Sequence, residues 1–483
     1  MIKTTFTQFD LSKDVLKAIR LLKYNTPTMV QEKVIPKILD NIDIIVKSQT
    51  GSGKTAAFAI PICQQIDWNE NKPQAIVLTP TRELAIQVKD DIFHIGRFKR
   101  VKVAAIYGKS PFHQQQKELK QKTHVVVGTP GRVIDHMERK TIDFSLLKYL
   151  VVDEADHMLN MGFIEQVETI IDLLPKERVT ILLSATIPPD IKALCDKYMR
   201  SPVIIEIEDE DSALERIIQE RYSVNEIDKL ALLKDVTIVE NPESCVIFCN
   251  TKQKVDEVYN TLRHEKYPCN KIHGGMEQKD RLSVMNDFRN AQFRYLVTTN
   301  VAARGIDIDN ISLIINYDIP LDRESYVHRI GRTGRGKKEG KAITFVTNYE
   351  NKLLHDIHQF IGQEILLKEK PDKEVVRESR QAFRNKIKVK AETKEIKGAG
   401  LNKEIVKLLI NSGKKAKMRS VDIVGTLCNI QGMTKDDIGI INIMDYSTHV
   451  EVINNKGDLV FEALQYTPIK GKLRKVSKID VEE

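Results

Sequence analysis

A glycine-rich segment, residues 47–55, combines residue types that bind phosphate. It reads KSQTGSGKT and precedes the apolar, helix-compatible stretch AAFAIPICQQI. Glycines let backbone N–H groups approach phosphate oxygens, a lysine can reach terminal phosphates, and a threonine hydroxyl can ligate Mg²⁺. Position 48 is serine where the strict pattern has glycine, and glycine-rich turns also occur without ligands. We predict a phosphate site at Ser48, Gln49, Thr50, Gly51, Ser52, Gly53, Lys54 and Thr55, with Thr55 as a magnesium ligand.

An acidic tetrapeptide, DEAD at residues 153–156, follows the apolar run Tyr149–Val152. Phosphoryl transfer needs one carboxylate for Mg²⁺, directly or through water, and a second group that orients the attacking water. Asp153 suits the first role and Glu154 the second. An acidic tetrapeptide alone is usually a solvated loop. In open α/β sheets, however, ligands bind at the carboxyl ends of strands, where this segment and the glycine-rich one would both lie.

Short, β-branched apolar runs alternate with longer helix-compatible stretches twice along the chain. Continuous runs of this kind are typical of strands covered on both faces, and their alternation with helices predicts parallel sheets. The first predicted series is 42–47, 75–79, 101–106, 125–128, 149–152, 180–183 and 203–207. The second is 245–249, 270–272, 295–299, 313–316 and 342–346. We therefore predict two tandem doubly wound α/β domains, residues 1–207 and 212–363, with an acidic hinge between them.

The chain changes character after residue 363. Residues 364–401 are charge-dense and poor in large apolar side chains, which predicts a linker that is partly helical. Strand signals return within 402–483, at 421–427, 439–443, 449–453 and 473–479, with helices at 434–438 and 458–464. The order βαββαβ predicts a small ferredoxin-like α+β domain.

Composition narrows the class of protein. The 483 residues are 41% hydrophobic and 29% charged, which is ordinary for a globular chain of about three domains. No apolar run approaches the roughly 18 residues of a membrane span, and the first residues lack an apolar leader, so we expect a cytoplasmic protein without membrane contact. The six cysteines lack the spacing of a zinc site or disulfide framework. A formal net charge of +8 permits a polyanionic partner.

Over about residues 6–363 the chain resembles the DEAD-box RNA helicase family. The resemblance rests on a series of short segments in the family's order, each of them weak alone. Besides GSGKT and DEAD, they are YNTPTMVQ (24–31), PTRELA (80–85), TPGR (129–132), SAT (184–186), FCNT (248–251), HGG (273–275), Gln278 with Arg281, TTNVAARGID (298–307) and HRIGRTGR (328–335). The resemblance implies two RecA-like domains that close over ATP and Mg²⁺, and RNA as the substrate.

Further nucleotide contacts are implied by this resemblance. Phe9, Tyr24 and Gln31 look like the family's adenine-reading motif. The Gln31 amide can both donate to and accept from an adenine edge, which would favour ATP over GTP, although a lone glutamine is more often a surface residue. Gly305 and Asp307 match a later motif, and Asp307 would reach the ribose.

Two arginines of the second domain complete the expected reaction site. Arg332 and Arg335 are three residues apart, so on a helix they would share a face. Guanidinium groups placed there can stabilise charge on the transferring phosphoryl group, as arginine fingers do. The resemblance also implies that Ser184, Thr186 and His328 couple the state of ATP to RNA. Hydrolysis would then require both domains to close over one nucleotide.

The family's RNA segments imply a separate set of contacts. Hydroxyl, guanidinium and backbone groups would contact phosphates and 2′-hydroxyls without reading bases, and closure would separate a short duplex locally. The implied residues are Pro80, Arg82, Thr129, Arg132, Thr251, Gly274 and Thr298. Two positions depart from the family pattern. Asn300 stands where the family usually has Asp, and Lys109 stands where Gly is common, which bears on coupling to RNA and not on ATP chemistry.

Residues 402–483 contain basic clusters at both ends, which predicts nucleic-acid binding. The candidate RNA contacts are Lys414, Lys415, Lys417 and Arg419, and a merely solubilising surface is the alternative. The predicted central strands lack aromatic side chains for base stacking. The segment resembles the degenerate RNA-recognition domain of bacterial DbpA-type helicases. This implies a hairpin of 23S ribosomal RNA and pre-50S particles as partners.

Other functions stay open at this point. An ATP-gated RNA clamp would bind without unwinding, although Glu154 argues against it, because a clamp needs no water-orienting carboxylate. A general helicase for messenger or cold-shock RNA would lack ribosomal specificity, and a DNA helicase would use the same core. We expect a monomer.

Overall fold

The computed structural model describes residues 5–48, 51–207, 216–300, 311–334, 339–389, 399–402 and 404–479. These residues form two seven-stranded sheets and one four-stranded sheet. We name the three units the N-terminal lobe (5–207), the second lobe (216–389) and the C-terminal domain (399–479). The predicted fold class, two parallel α/β units followed by a small α+β unit, is confirmed.

The sheet of the N-terminal lobe is parallel throughout, in the order β3-β4-β2-β5-β6-β1-β7. Its central strands are buried on both faces, because helices cover both sides. The strands are β1 (Ile44–Lys47), β2 (Ala75–Leu78), β3 (Val103–Ile106), β4 (Val125–Gly128), β5 (Tyr149–Val152), β6 (Val179–Ser184) and β7 (Val203–Glu206). The helices are Lys13–Leu21, Met29–Leu39, Lys54–Gln65, Arg82–Ile95, Phe112–Leu119, Pro130–Glu138, Ala155–Asn160, Ile164–Leu173 and Pro189–Tyr198.

The second lobe repeats this architecture, with parallel strands in the order β10-β11-β9-β12-β13-β8-β14. The strands are β8 (Ile217–Ser223), β9 (Cys245–Cys249), β10 (Cys269–Ile272), β11 (Tyr295–Thr299), β12 (Leu313–Asn316), β13 (Gly340–Val346) and β14 (Leu366–Lys368). The helices are Lys229–Glu240, Lys252–His264, Gln278–Arg289, Arg323–Ile330, Asn351–Ile361 and Lys373–Lys388. Strands β8 and β14 are additions to the predicted series.

The segment predicted as a linker is partly built into the second lobe. Strand β14 pairs with β8, and the helix Lys373–Lys388 buries Val376 and Phe383 in the apolar core of that lobe. The partly helical character predicted for this segment is therefore present.

The C-terminal domain has antiparallel strands in the order β16-β17-β15-β18. They are β15 (Val406–Ile410), β16 (Ile438–Ile443), β17 (Thr448–Val452) and β18 (Val476–Ile479). The helices Ser420–Cys428 and Gly457–Leu464 cover one face of this sheet. The order βαββαβ is as predicted.

Two of the predicted elements in this domain are wrong. Residues 421–427 were expected as a strand and instead lie in the helix Ser420–Cys428. Arg419 and Asp422 cap this helix, and Ile423 and Leu427, four residues apart, are buried on its inner face. The helix predicted at 434–438 is a single 3₁₀ turn, Lys435–Asp437, and β16 begins directly after it.

Among the described residues, no helix is both long and apolar enough to cross a bilayer.

Candidate active site

The predicted phosphate loop connects β1 to the helix Lys54–Gln65. Gly51 and Gly53 have φ values of 85° and 92°, a left-handed conformation that glycine adopts without strain. The Lys54 Nζ donates to the Ser48 carbonyl oxygen at 2.6 Å. Because backbone N–H groups at a helix N-terminus attract anions, the loop is shaped to hold phosphate. Residues 49–50, which complete the predicted set, lie outside the described residues.

Gln31 joins the helix Met29–Leu39 to this loop. Its Oε1 accepts from the Thr28 N–H at 3.0 Å, and its Nε2 donates to the Gly53 carbonyl oxygen at 3.2 Å. A Cβ at Gly53 would lie 2.7 Å from that Nε2, so a side chain at position 53 would displace the glutamine. The predicted adenine-reading residue therefore lies directly beside the phosphate loop.

The two rings predicted near adenine pack into the core of the N-terminal lobe. Phe9 packs edge-to-face on Phe6, with 6.2 Å between ring centroids, and is buried. Tyr24 is partly buried against the same apolar core. Both rings therefore anchor the segment that leads to Gln31.

Asp153 and Glu154 stand at the carboxyl end of β5. Asp153 is buried, and its Oδ1 accepts from the Glu154 N–H at 3.0 Å. Burial, followed by the charge of Glu154, raises the pKa of Asp153 to about 7. A bound cation favours the ionised form of such a carboxylate. The arrangement therefore fits the predicted magnesium site, to which Thr55, the second residue of the helix Lys54–Gln65, would add its hydroxyl.

Glu154 faces cations from both lobes. It has a φ of 53°, which is uncommon for a residue with a Cβ, and its Oε2 lies 3.1 Å from Nδ1 of His157. Burial raises its pKa, but the hydrogen bond and charge of His157, with the charges of Arg332 and Lys54, outweigh burial and lower the pKa to about 2. Glu154 is therefore ionised, and Arg332 of the second lobe is close enough to stabilise its charge.

Asp156 ties the SAT segment to the DEAD segment. Its backbone N–H donates to the Ser184 Oγ at 3.1 Å. Its Oδ2 accepts from the N–H groups of Ala185 and Thr186, at 3.1 and 3.0 Å, and from the Thr186 Oγ1 at 3.2 Å. A movement of the DEAD segment would therefore move Ser184 and Thr186 with it.

Direct contacts join the two lobes across the cleft. Arg281 Nη2 lies 2.9 Å from Glu83 Oε1, and both side chains are mostly buried. Gln278 Nε2 donates to the same Glu83 oxygen at 2.9 Å, and Arg82 Nη1 donates to Gln278 Oε1 at 3.3 Å. The structure thus shows the lobes in contact, with the PTRELA segment facing Gln278 and Arg281.

A buried arginine organises the second lobe near the cleft. Arg329 donates to Asn316 Oδ1 at 3.2 Å and to Asn250 Oδ1 at 2.9 Å, and its Nε lies 3.5 Å from Asn300 Oδ1. Asn300 Nδ2 donates to the Ser325 Oγ at 2.5 Å. The amide at position 300, where the family usually has Asp, therefore joins this network through a neutral side chain.

Two of the remaining second-lobe residues predicted for the ATP site, His328 and Arg332, are close in sequence to Arg329. His328 belongs to the helix Arg323–Ile330, and Arg332 lies in the turn that follows. Gly305, Asp307 and Arg335 lie outside the described residues.

In the N-terminal lobe, the predicted RNA residues follow the carboxyl ends of β2 and β4. Pro80 and Arg82 follow β2, and Thr129 is the N-cap of the helix Pro130–Glu138. Arg132 Nη1 donates to the Ser110 carbonyl at 3.0 Å and to the Gln115 Oε1 at 2.8 Å. The nearby Lys109 has a φ of 58°, a left-handed conformation in which the glycine of the family pattern would be unstrained.

In the second lobe, the predicted RNA residues also follow strand ends. The Thr251 Oγ1 accepts from the Lys254 N–H at 3.1 Å and so caps the helix Lys252–His264. Gly274 follows β10, and Thr298 lies in β11. Together with the N-terminal set, these residues lie at the carboxyl edges of both sheets.

The four candidate residues of the C-terminal domain are exposed. Lys414 and Lys415 donate their backbone N–H groups to the carbonyl oxygens of residues 444 and 445, at 2.8 and 2.9 Å, which fixes the loop. The Lys415 ammonium also lies 4.6 Å from the centre of the Tyr446 ring. Arg419 is paired with Asp422 at 3.1 Å, so it already has a structural role as a helix cap.

Comparisons with known families match all three units. Residues 28–194 match the DEAD/DEAH box helicase family, and residues 228–337 match the helicase conserved C-terminal domain. Residues 407–478 match the DbpA RNA binding domain. The two lobes therefore form a DEAD-box helicase core, and the third unit is an RNA-binding domain.

One known relative extends this match over 98% of the chain, and another over 74%. The ATP-dependent RNA helicase DbpA of Bacillus subtilis is 54% identical over 473 residues, which are 98% of this chain and 99% of that protein. The DEAD-box ATP-dependent RNA helicase CshA of Geobacillus kaustophilus is 44% identical over 74% of this chain and 76% of that protein. The chain belongs to the DEAD-box ATP-dependent RNA helicases that have a DbpA RNA-binding domain.

Solved structures support the fold of the core. Saccharomyces cerevisiae Dbp5 bound to RNA and ADP BeF3 has a TM-score of 0.70 and 32% identity, and the match covers 80% of this chain and 100% of that one. A structure of Mss116p bound to ssRNA and AMP-PNP has a TM-score of 0.69 and 28% identity. This match covers 78% of this chain and 81% of that one.

Sequence reasoning did not identify several residues that shape this site. His157 lies three residues after Glu154, so helical spacing could have indicated their contact. Gln115 is buried and links Arg132 to the Tyr107 carbonyl oxygen, to which its Nε2 donates at 3.0 Å. That link joins separate segments, so no local pattern indicates it.

A His157→Ala variant tests whether His157 positions Glu154. We expect the turnover number for RNA-stimulated ATP hydrolysis to fall about tenfold, because a hydrogen bond to a charged group contributes about 1.5–3 kcal/mol. The KM for ATP should stay unchanged. His157→Gln, whose amide can still donate, should recover most of the rate. An equal loss of turnover number in both variants would show that the hydrogen bond to Glu154 does not contribute to the rate.

Proposed function

We propose that this helicase remodels ribosomal RNA, with a hairpin of 23S ribosomal RNA as its target during assembly of the large ribosomal subunit. The observation that carries the proposal is the DbpA RNA-binding domain at residues 407–478, whose loop 413–419 exposes its four basic side chains. Exposed lysines on a fixed loop suit recognition of a phosphate backbone. Pre-50S particles would then be the partner, and the monomeric state and cytoplasmic location stay predictions.

We propose that the phosphate loop and the adjoining residues bind ATP. Lys54 would reach the terminal phosphates, and Gln31, already hydrogen-bonded to the loop, would read adenine. Asp153 and Thr55 would hold Mg²⁺, whose charge neutralises phosphate oxygens. The raised pKa of Asp153 supports this assignment, because a buried carboxylate beside Glu154 needs a cation to stay ionised.

Hydrolysis would take place between the lobes. Glu154, which stays ionised, would orient the attacking water, and Arg332 with Arg335 would stabilise the charge that develops on the transferring phosphoryl group. Asp156 supports a coupling role for Thr186, because it accepts two hydrogen bonds from this threonine and one from the Ala185 N–H. A change in the ATP site would thus reach the SAT segment directly.

RNA would bind across the carboxyl edges of both sheets. Arg82, Thr129 and Arg132 of the N-terminal lobe and Thr251 and Thr298 of the second lobe would contact the backbone and the 2′-hydroxyls without reading bases. Since the two sets lie on separate lobes, closure would bend the bound strand. The outcome would be local strand separation and not long-range movement along RNA.

Replacing Lys414, Lys415 and Lys417 by alanine tests the ribosomal target. We expect selective stimulation by 23S ribosomal RNA to disappear, while high concentrations of unrelated RNA still stimulate hydrolysis. The slope of log affinity against log salt should decrease by about 2, because each lost phosphate contact removes about 0.7 for single strands. ATP hydrolysis and RNA affinity at several salt concentrations measure both effects.

The matched control replaces three exposed lysines of the N-terminal lobe, Lys140, Lys176 and Lys192, by alanine. This variant should keep selective stimulation and the original salt slope. Retained selectivity in the loop variant would refute the proposed target. Substitution is preferable to deletion of residues 402–483, since Ile405 and Ile453 are packed against the N-terminal lobe.

A further inference from the structure

The C-terminal sheet has two faces. One packs on the two helices of its own domain, and the other, which we call the open face because none of these helices covers it, is nevertheless buried in part. In β17, Val450 and Val452 point into that core, so the alternating residue Glu451 points to the opposite, open face. Glu451 is nevertheless only 8% exposed, and Ile440, which lies outside that core, is 5% exposed. The open face must therefore contact another part of the chain.

The N-terminal lobe supplies that contact. Arg97 Nη1 lies 3.0 Å from Glu451 Oε1, and the two side chains are 2% and 10% exposed. Lys102 Nζ donates to the Ile441 carbonyl oxygen at 2.7 Å and to the Asn442 Oδ1 at 2.8 Å. Burial lowers the pKa of Lys102 to about 8, as expected for an enclosed ammonium group. The segment before β3 thus presents a buried guanidinium group and a half-buried ammonium group to the sheet.

An apolar contact continues this interface. Leu401, Ile405 and Ile453 are buried and join the apolar core of the N-terminal lobe. Beside them, Lys17 Nζ lies 3.1 Å from Glu404 Oε2. An apolar centre with charged pairs around it is the usual anatomy of a specific protein interface. The two units are therefore joined by a specific interface and not by a chance approach of two surfaces.

The basic loop 413–419 lies outside the covered face. Lys414, Lys415 and Lys417 are exposed while Glu451 and Ile440 are buried. Neither β16 nor β17 contains Phe, Tyr or Trp, so the covered strands offer no rings for base stacking. The docked domain can therefore bind RNA through its loop while its sheet is occupied.

The chain after strand β14 contacts both lobes. The helix Lys373–Lys388 is packed on the second lobe, whereas the C-terminal domain is packed on the N-terminal lobe. RNA held by the basic loop would consequently have a fixed position relative to the phosphate loop and the DEAD segment, which belong to the same lobe.

We propose that the open face of the C-terminal sheet is a docking surface for the N-terminal lobe of the same chain, and that docking couples RNA held by the basic loop to ATP hydrolysis. RNA-recognition domains usually stack bases on this face. Here an ion pair, hydrogen bonds and apolar contacts occupy it. The coupling rests on the proposed function, whereas the docking does not.

Fluorescence energy transfer between two dyes, one on the C-terminal domain and one on the N-terminal lobe of the full chain, measures docking. Cys428 is exposed and takes one dye, Glu165→Cys on the N-terminal lobe takes the other, and Cys269→Ser removes a partly buried thiol. Arg97→Glu and Glu451→Arg should each lower the docking equilibrium constant about a hundredfold or more, because each leaves buried like charges together. The double variant restores the pair with the charges exchanged, and it should recover high transfer.

Ribosomal 23S RNA is the probe for coupling. In Arg97→Glu we expect an unchanged Kd for this RNA and unchanged hydrolysis without RNA, but stimulation about tenfold lower, within the usual range of coupling between two sites. The double variant should regain stimulation. Adding RNA to the unchanged chain should leave energy transfer high.

The possible outcomes separate docking from the ribosomal target. Low energy transfer in the unchanged chain would overturn docking. So would energy transfer that stays high in both Arg97→Glu and Glu451→Arg. Loss of transfer when RNA is added, together with tighter RNA binding by the undocked variant Glu451→Arg, would make the sheet an RNA surface instead. Normal stimulation of an undocked variant would overturn coupling. Docking without any preference for 23S RNA would uphold this interface and refute the proposed target.

Discussion

In a Glu154→Gln variant, RNA-stimulated ATP hydrolysis is expected to fall by about 100- to 10,000-fold, the usual contribution of a side chain that activates the nucleophile. Glutamine keeps the size of the side chain but lacks the negative charge. That charge is present at neutral pH, because His157, Arg332 and Lys54 hold the pKa of Glu154 at about 2 despite its burial. ATP and RNA should still bind. Single-turnover hydrolysis and equilibrium binding measure the two effects separately.

The control for this variant is Glu165→Gln, which neutralises an exposed carboxylate of the same lobe. It should hydrolyse ATP at the unchanged rate. Normal turnover in Glu154→Gln would refute the assigned role. Loss of ATP binding together with turnover would show that Glu154 supports the structure of the loop instead.

Both parallel sheets could be predicted from sequence because their central strands are buried on both faces. Strand β5, for example, is a continuous apolar run with the predicted bounds, Tyr149–Val152. Strand β8, Ile217–Ser223, is absent from the predicted series because it is not a continuous apolar run: three polar residues, 219–221, interrupt it, near the edge of its sheet. Strand β14 has three exposed residues and forms only through pairing with β8, which no local pattern indicates.

The C-terminal domain shows where β-branched composition misleads. Residues 421–427 are rich in Val, Ile and Thr, yet the cap made by Arg419 and Asp422 starts a helix there. The first strand, Val406–Ile410, is a short run directly after a charge-dense segment, and its place in the sheet depends on pairing with β17 and β18. A local cap decided the first assignment, and tertiary pairing decided the second.

The residue types of the site could be predicted, but their contacts could not. Spacing within the chain indicates which residues face phosphate, since GSGKT and DEAD follow predicted strands. The pairs Glu83–Arg281 and Arg97–Glu451 join residues that are far apart in the sequence, at 2.9 and 3.0 Å. Only the arrangement of the three units brings these charges together.

An Arg332→Ala variant is expected to lose about 1,000- to 100,000-fold in ATP hydrolysis, the effect attributed to an arginine finger. The guanidinium group lies on the second lobe, yet its charge lowers the pKa of Glu154 on the N-terminal lobe. It therefore lies at the cleft in which the phosphoryl group would be transferred. Arg332→Lys should recover only part of the rate, because an ammonium group lacks the planar fork of donors. Single-turnover hydrolysis at saturating ATP and RNA measures the loss.

Two further arginine variants isolate this effect. Arg323→Ala removes an exposed guanidinium from the same lobe and should leave hydrolysis unchanged. Arg281→Ala removes the interlobe pair with Glu83, so it should weaken closure and raise the RNA concentration needed for half-maximal stimulation, with a smaller effect on the maximal rate. If Arg332→Ala hydrolyses ATP as fast as Arg323→Ala, Arg332 contributes nothing to the reaction and the assignment of hydrolysis to both lobes loses its main support.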